Sequence, residues 1–184
     1  MKIALLDSGV GGLTVATEFI KLMPKQKYIY YGDTLHLPYG PRPLNQVKNF
    51  TLKIIDFLIN DKEADIVVIA CNTASAVALS LAKKNFSIPI YGTINAASKK
   101  ATLVSKNQKV GIIGTDGTVA SGAYQNAIKE FDPNISVFAT PCPKFVDFVE
   151  EGKITGKEVI TYAQNCLSEL KKEKIDSLIL GCTH

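Results

Sequence analysis

Two short segments of this chain have nearly the same pattern, and each predicts a buried strand that ends in a cysteine. They are residues 64–73, which contain Cys71, and residues 174–184, which contain Cys182. Both apolar runs are too short for helices, and the first is also too rich in Ile and Val. In each, a small residue, Cys and Thr lie near the end of the run, where a strand of an open α/β sheet meets its ligand crevice. The pattern predicts an α/β fold with two thiols at strand ends.

A second pair of similar segments supports an internal duplication. Residues 2–12 and residues 109–118 both read as a strand followed by glycines and hydroxyl residues. The two pairs of segments are separated by nearly the same number of residues, which favours two related halves over a short-period solenoid. We place the boundary near residues 92–95, with one half (1–93) carrying Asp7 and Cys71 and the other (94–184) carrying Cys182 and His184. We expect a cleft between the halves, lined by both cysteines.

Strands and helices alternate along the whole chain, which predicts α/β architecture with two pseudo-symmetric, doubly wound parallel sheets and right-handed crossovers. The predicted strands are residues 2–6, 27–31, 65–70, 88–91, 109–114, 135–139 and 175–180. The predicted helices are residues 12–22, 44–60, 73–84, 95–105, 118–131 and 157–172, with a helical stretch from residue 144.

Composition narrows the class of protein. Of 184 residues, 46% are hydrophobic and 21% charged, which fits a folded α/β protein. The net charge of +4 comes from scattered lysines, and Arg42 is the only arginine, so we expect no nucleic-acid partner. The N-terminus does not resemble a signal peptide, and polar residues interrupt the longest apolar stretch, so we expect a cytoplasmic protein without a membrane span. The four cysteines lack zinc-site spacing, and we expect no metal.

The segment from Asp7 to Gly12 could accept an anion, because glycines between a strand and a helix let backbone N–H groups approach a ligand. It lacks dinucleotide-binding spacing and a Walker lysine, and Asp7 would repel phosphate. A substrate with both a carboxylate and an ammonium group suits this mixture of groups.

The two strand-end cysteines favour proton transfer at carbon. Cys71 precedes a helix N-terminus, where the dipole and unpaired N–H groups favour a thiolate. A cysteine hydrolase is an alternative, but it needs only one thiol. Inverting a stereocentre needs two acid/base groups on opposite faces, each about 3 to 3.5 Å from the carbon, which would put the sulfurs roughly 7 Å apart.

Four segments together resemble the glutamate racemase family. They are residues 7–13 (Asp-Ser-Gly-Val-Gly-Gly-Leu), 38–40 (Pro-Tyr-Gly), 70–75 (Ala-Cys-Asn-Thr-Ala-Ser) and 181–184 (Gly-Cys-Thr-His), in the family's order and spacing. The resemblance implies a homodimer that interconverts L- and D-glutamate without a cofactor and supplies D-glutamate for peptidoglycan.

The resemblance also implies residue roles. Cys71 would take the Cα proton from D-glutamate and Cys182 from L-glutamate, assisted by Asp7 and His184 respectively. The implied substrate-binding residues are Asp7, Ser8, Tyr39, Gly40, Asn72, Thr73, Thr183 and His184, with Thr115 and Thr118 as further contacts. We expect His36 on the loop surface, and Cys142 and Cys166 to be structural.

The chain departs from the family in two places. Family members usually continue well beyond the Gly-Cys-Thr-His segment, so we expect this chain to lack a C-terminal tail. Residues 92–96 also differ from many relatives, with an expected effect on the hinge. Two alternatives remain at this point: a non-catalytic α/β module that binds a small anion or nucleotide, and an inactive truncated racemase.

Overall fold

The computed structural model describes residues 1–184, which form two compact units, Met1–Thr93 with Thr183, and Ile94–Cys182 with His184. The strands of the first unit are β1 (Lys2–Asp7), β2 (Lys27–Gly32), β3 (Ile66–Ile69) and β4 (Ile90–Gly92). Its helices are α1 (Leu13–Leu22), α2 (Leu44–Asn60) and α3 (Asn72–Asn85), and α4 (Thr93–Val104) follows. The second unit contains β5 (Lys109–Gly114), α5 (Asp116–Ala120), α6 (Ala123–Phe131), β6 (Ser136–Pro141), α7 (Lys144–Glu150), α8 (Lys157–Lys172) and β7 (Ser177–Gly181).

The first unit is built on a fully parallel sheet of order β2-β1-β3-β4. Alternate residues of β1 pack on opposite faces of this sheet: Leu6 lies in the core with α2 and α3, and Leu5 lies in the core with α1. Because helices cover both faces, the strands are continuously apolar rather than alternating. This explains why short apolar runs identified them in the sequence.

The second unit contains a parallel sheet of order β6-β5-β7. Its central strand, β5, lies between β6 and β7, just as β1 lies between β2 and β3 in the first sheet. The similar sequence segments therefore occupy equivalent strands, β1 and β5 at the centre and β3 and β7 beside them. The predicted class, α/β with two pseudo-symmetric parallel sheets, is confirmed.

The prediction of one continuous helix over residues 118–131 is wrong. The chain forms two helices there, α5 and α6, separated at Gly122, whose φ of 66° is left-handed. The Ser121 hydroxyl donates to the Thr118 carbonyl at 2.6 Å and accepts the Ala123 N–H at 3.2 Å. These local hydrogen bonds compete with the helical pattern, and glycine adopts the left-handed conformation without a Cβ penalty.

None of the eight helices combines the length and the apolar composition that a membrane span requires.

Candidate active site

In the first unit, the chain leaves β1 to form β2 on one side of the sheet and later returns to form β3 on the other. The carboxyl ends of β1 and β3 therefore flank the topological switch point, where open α/β sheets bind ligands. Asp7 is the last residue of β1, and Cys71 follows β3. The two strands stay paired up to these residues, since the Ala70 N–H donates to the Leu6 carbonyl at 2.8 Å.

Asp7 is completely buried within a turn formed by residues 8–12. Its Oδ2 accepts the Gly9 N–H at 3.0 Å, and Tyr30 donates its phenol to the Gly9 carbonyl at 2.8 Å. A Cβ at Gly12 would lie 2.6 Å from the Asp7 Cβ, so the turn closes over the carboxylate only with glycine there. Burial, with the nearby negative charges of Asp7 and Cys71, raises the pKa of Tyr30, which keeps the phenol a donor.

Cys71 is the N-cap of α3, with an extended backbone at φ −65° and ψ 124°. Its Sγ accepts the Ala74 N–H at 3.5 Å, the bond that an N-cap serine or aspartate usually makes. Asn72 and Thr73 form the first turn of the helix, and both are buried. Orphan N–H groups and the positive end of the helix dipole meet at this sulfur, which favours its thiolate form.

The loop after β2 carries two of the predicted substrate-binding residues, Tyr39 and Gly40. Tyr39 is 2% exposed and packs in the same core cluster as Cys71, with its phenol donating to Asp33 Oδ2 at 2.6 Å. Gly40, the next residue, is half-buried. Because the Tyr39 phenol is bound to Asp33, this segment can bind a ligand through its main-chain groups.

The second unit has an equivalent switch point between β5 and β7. Thr115 follows β5, and Cys182 follows β7. Thr115 caps α5: its Oγ1 accepts the Thr118 N–H at 3.2 Å and lies 3.1 Å from the Thr118 hydroxyl oxygen. Both threonines are buried. Hydroxyl groups and a thiol thus lie at the carboxyl ends of neighbouring strands.

Cys182, His184 and Glu150 form a chain of polar contacts in the second unit. His184 Nδ1 lies 4.0 Å from Cys182 Sγ, and His184 Nε2 lies 2.8 Å from Glu150 Oε1. The hydrogen bond with the Cys182 sulfur, reinforced by Glu150, raises the pKa of His184 to about 9. With this pKa the ring is an imidazolium at neutral pH, and it lies beside the Cys182 thiol.

The structure brings most of the predicted site residues to strand ends within their own unit. In the first unit these are Asp7, Ser8, Cys71, Asn72 and Thr73, with Tyr39 and Gly40 held through Asp33. In the second unit, Cys182 and His184 follow β7, and Thr115 and Thr118 follow β5, while Thr183, between Cys182 and His184 in the chain, groups with the first unit.

Two residues of the site were missed by sequence reasoning. Glu150 lies 34 positions before His184, and no local pattern links the two. Asp33 follows β2 directly, and its place at a strand end was a signal that could have drawn attention to it. The two remaining cysteines are buried: the Cys142 thiol donates to the Thr140 carbonyl at 3.7 Å, and burial, with the neighbouring Cys166, raises the pKa of the Cys142 thiol.

The fold and these groups define an α/β protein with a thiol and its polar partners at the switch point of each sheet. The chain belongs to the Asp/Glu/Hydantoin racemase family, whose family model matches residues 14–184. This membership confirms the family resemblance that the four motifs indicated.

Similar proteins include two glutamate racemases. That of Corynebacterium kroppenstedtii is 45% identical over 99% of this chain and 63% of its own length, and that of Enterococcus faecalis is 47% identical over 99% and 66%. The chain thus spans a little under two thirds of the length of these relatives. A crystal structure of glutamate racemase from Francisella tularensis in complex with D-glutamate matches with a TM-score of 0.94 and 36% identity, covering 100% of this chain and 68% of that one.

Proposed function

We propose that this protein interconverts L- and D-glutamate without a cofactor, by proton transfer to and from Cα on two thiols. The observation that carries the proposal is that Cys71 and Cys182 follow equivalent strands, β3 and β7, with Cys71 at a helix N-terminus and Cys182 beside the His184 ring. The similar proteins named above support this proposal, since they are glutamate racemases and one of them binds D-glutamate.

Cys71 is proposed to remove the Cα proton from D-glutamate. The thiolate is its reactive form, and the Ala74 N–H stabilises that form in place before the substrate binds. Asp7, buried at the end of the neighbouring strand, is proposed to assist Cys71 and to receive the substrate ammonium group. A buried carboxylate is a strong partner for an ammonium ion, because neither group is screened by water.

Cys182 is proposed to remove the Cα proton from L-glutamate, with His184 as its assisting group. When one thiolate takes the Cα proton, the opposite thiol delivers its own proton to the other face of the carbanion. One turnover therefore leaves the first sulfur protonated and the second deprotonated. Glu150 acts through His184, because its carboxylate binds Nε2 of the ring and adds to the larger effect of the Cys182 sulfur in raising the pKa of the ring.

The substrate carboxylates are proposed to bind N–H and hydroxyl groups at the strand ends. The residues proposed for this are Ser8, Tyr39, Gly40, Asn72, Thr73 and Thr183, with Thr115 and Thr118 as further contacts. Enzymes lower barriers by about 8 to 23 kcal/mol, and without a cofactor ring to spread carbanion charge, preorganised donors must supply much of this. The nucleotide-binding alternative is less favoured, because the Asp7 carboxylate occupies the site where phosphate would bind.

Racemisation in D2O tests the proposal. With L-glutamate as substrate, a two-base enzyme places deuterium at Cα of the D-glutamate that forms, while the remaining L-glutamate stays protiated early in the reaction. Cys71→Ser and Cys182→Ser should each lower racemisation about a hundredfold or more, the contribution of an acid/base group. Cys166→Ser, which changes a buried thiol on α8, is the matched control and should retain activity.

Three outcomes would refute the proposal: no D-glutamate formed, deuterium appearing equally in substrate and product from the start, or full activity in both cysteine variants. We further propose a cytoplasmic homodimer that supplies D-glutamate for peptidoglycan, as the family resemblance implies. Sedimentation velocity of the purified protein tests the dimer.

A further inference from the structure

Asp33 is a buried carboxylate that binds two residues of the loop after β2. It is 5% exposed and follows β2 directly. Its Oδ2 accepts the Tyr39 phenol at 2.6 Å, and its two oxygens lie 2.8 and 2.9 Å from His36 Nδ1. A buried carboxylate requires such partners, and hydrogen bonds to a charged acceptor are the stronger kind.

The far side of this loop is held against α2. The His36 ring, which we expected on the loop surface, is half-buried and stacks on Phe50 with 3.9 Å between ring centroids and 21° between planes. Arg42 Nε donates to the His36 carbonyl at 2.6 Å, and its guanidinium lies 5.8 Å from the centre of the Phe50 ring. The outer side of the loop is therefore packed on α2 through His36 and Arg42. Asp33 links Tyr39, on the inner side, to His36.

Asp33 also contacts the candidate site through its main chain. Its N–H donates to the Asp7 carbonyl at 2.9 Å, extending the pairing of β2 with β1 by one residue. The same residue thus bonds to Asp7 with its backbone and to Tyr39 with its side chain. Tyr39 in turn packs in the core cluster that includes Cys71.

We propose that Asp33 is a positioning residue that, through Tyr39 and His36, holds residues 34–42 so that the main chain of Tyr39 and Gly40 faces the substrate. The role of Tyr39 is then that of an anchor for the loop, and its hydroxyl is not a substrate ligand. This inference rests on the proposed function, which supplies the substrate. Its geometry comes from the contacts of Asp33.

Steady-state kinetics with both enantiomers tests the substrate side. Tyr39→Phe removes only the hydroxyl that Asp33 accepts and keeps the buried ring, and Asp33→Asn keeps the shape of the side chain. Each should raise KM for D- and L-glutamate about tenfold, the cost of a lost hydrogen bond to a charged group, with kcat little changed. Tyr31→Phe is the matched control, because Tyr31 contacts Phe57 edge-on and its hydroxyl takes no part in the hydrogen bonds of Asp33, Tyr39 or Arg42.

Amide hydrogen exchange tests whether Asp33 anchors the loop, and the measurement does not depend on racemase activity. The N–H groups of His36 and Arg42 donate to Asp33 and Tyr39 carbonyls at 3.2 and 3.1 Å, so they report the order of the loop. Both amides should exchange faster in Tyr39→Phe, and in Asp33→Asn if that variant folds, and should be unchanged in Tyr31→Phe.

The outcomes separate this inference from the proposed function. A wild-type protein without racemase activity refutes the proposed function, while the exchange data still decide the anchor. Unchanged exchange in Tyr39→Phe overturns the inference whatever the activity is. Faster exchange with unchanged KM overturns it too, since the loop would then be anchored without serving the substrate, whereas faster exchange with raised KM supports it.

Discussion

Glu150 at the end of α7 accepts a hydrogen bond from His184 Nε2 at 2.8 Å, although 34 positions separate the two residues. The other ring nitrogen of His184 faces the Cys182 sulfur at 4.0 Å. With both nitrogens next to electron-rich atoms, the ring is more stable as an imidazolium, and the pKa of His184 rises to about 9.

Glu150→Gln should lower the pKa of His184 part of the way from about 9 toward the ordinary value of about 6.5, because the larger effect of the Cys182 sulfur remains while the amide removes the carboxylate charge that also stabilises the cation. An NMR titration of the histidine ring protons measures this directly. The chain has two histidines, and His36→Gln assigns their signals.

The matched control is Glu151→Gln, which changes the neighbouring, exposed carboxylate that pairs with Lys153 at 2.7 Å. It should leave the pKa of His184 unchanged. An equal effect of both variants would show that overall charge, and not the Glu150 contact, sets the protonation of the ring.

His184→Gln should reduce stability in a pH-dependent way. A histidine whose pKa is raised on folding contributes its full stabilisation below its unfolded pKa, about 6.5, and loses it as the pH rises to about 9. The difference in free energy of unfolding between wild type and variant should therefore be largest at acidic pH and shrink across that window. Urea denaturation at several pH values measures it, and a difference that does not change with pH would contradict the assignment.

Cys71→Ala and Cys71→Ser should differ in stability, because only serine can replace the sulfur as an acceptor for the Ala74 N–H. Loss of an N-cap acceptor costs about 1 kcal/mol, so the alanine variant should unfold at lower urea concentration than the serine variant. Both variants lack the thiol and should be equally deficient in racemisation. Equal stability of the two would mean that the sulfur does not cap α3.

Gly12→Ala should destabilise the first unit by about 3 kcal/mol, the upper end of the cost of overpacking. The added Cβ would lie 2.6 Å from the Asp7 Cβ, 2.8 Å from the Tyr30 hydroxyl and 3.0 Å from the Ala70 Cβ, and no flexible side-chain end can relieve the first and last contacts. Denaturant unfolding measures the loss.

Gly152→Ala serves as the control for this glycine change. Its added Cβ would meet no atom within 4 Å, but φ is 71°, so only backbone strain of about 1 kcal/mol applies. A loss at Gly12 no larger than that at Gly152 would contradict the steric argument.

The sequence by itself determined the α/β class, the duplication and the position of Cys71 and Cys182 at strand ends. These features follow from local rules: strands covered on both faces are continuously apolar, and ligand-binding residues follow the carboxyl ends of parallel strands. The Asp7 turn was also predictable, because its glycines are adjacent in the chain.

Only the tertiary structure decided which polar side chains meet. The pairing of Asp33 with Tyr39 and His36 depends on how a proline-rich loop packs on Phe50, and the pairing of Glu150 with His184 depends on where α7 ends relative to β7. The division of the predicted helix at Gly122 was likewise set by Ser121 hydrogen bonds that periodicity does not report. Periodic patterns record which face of an element is buried, whereas contacts between distant polar residues depend on three-dimensional packing that no short window of sequence contains.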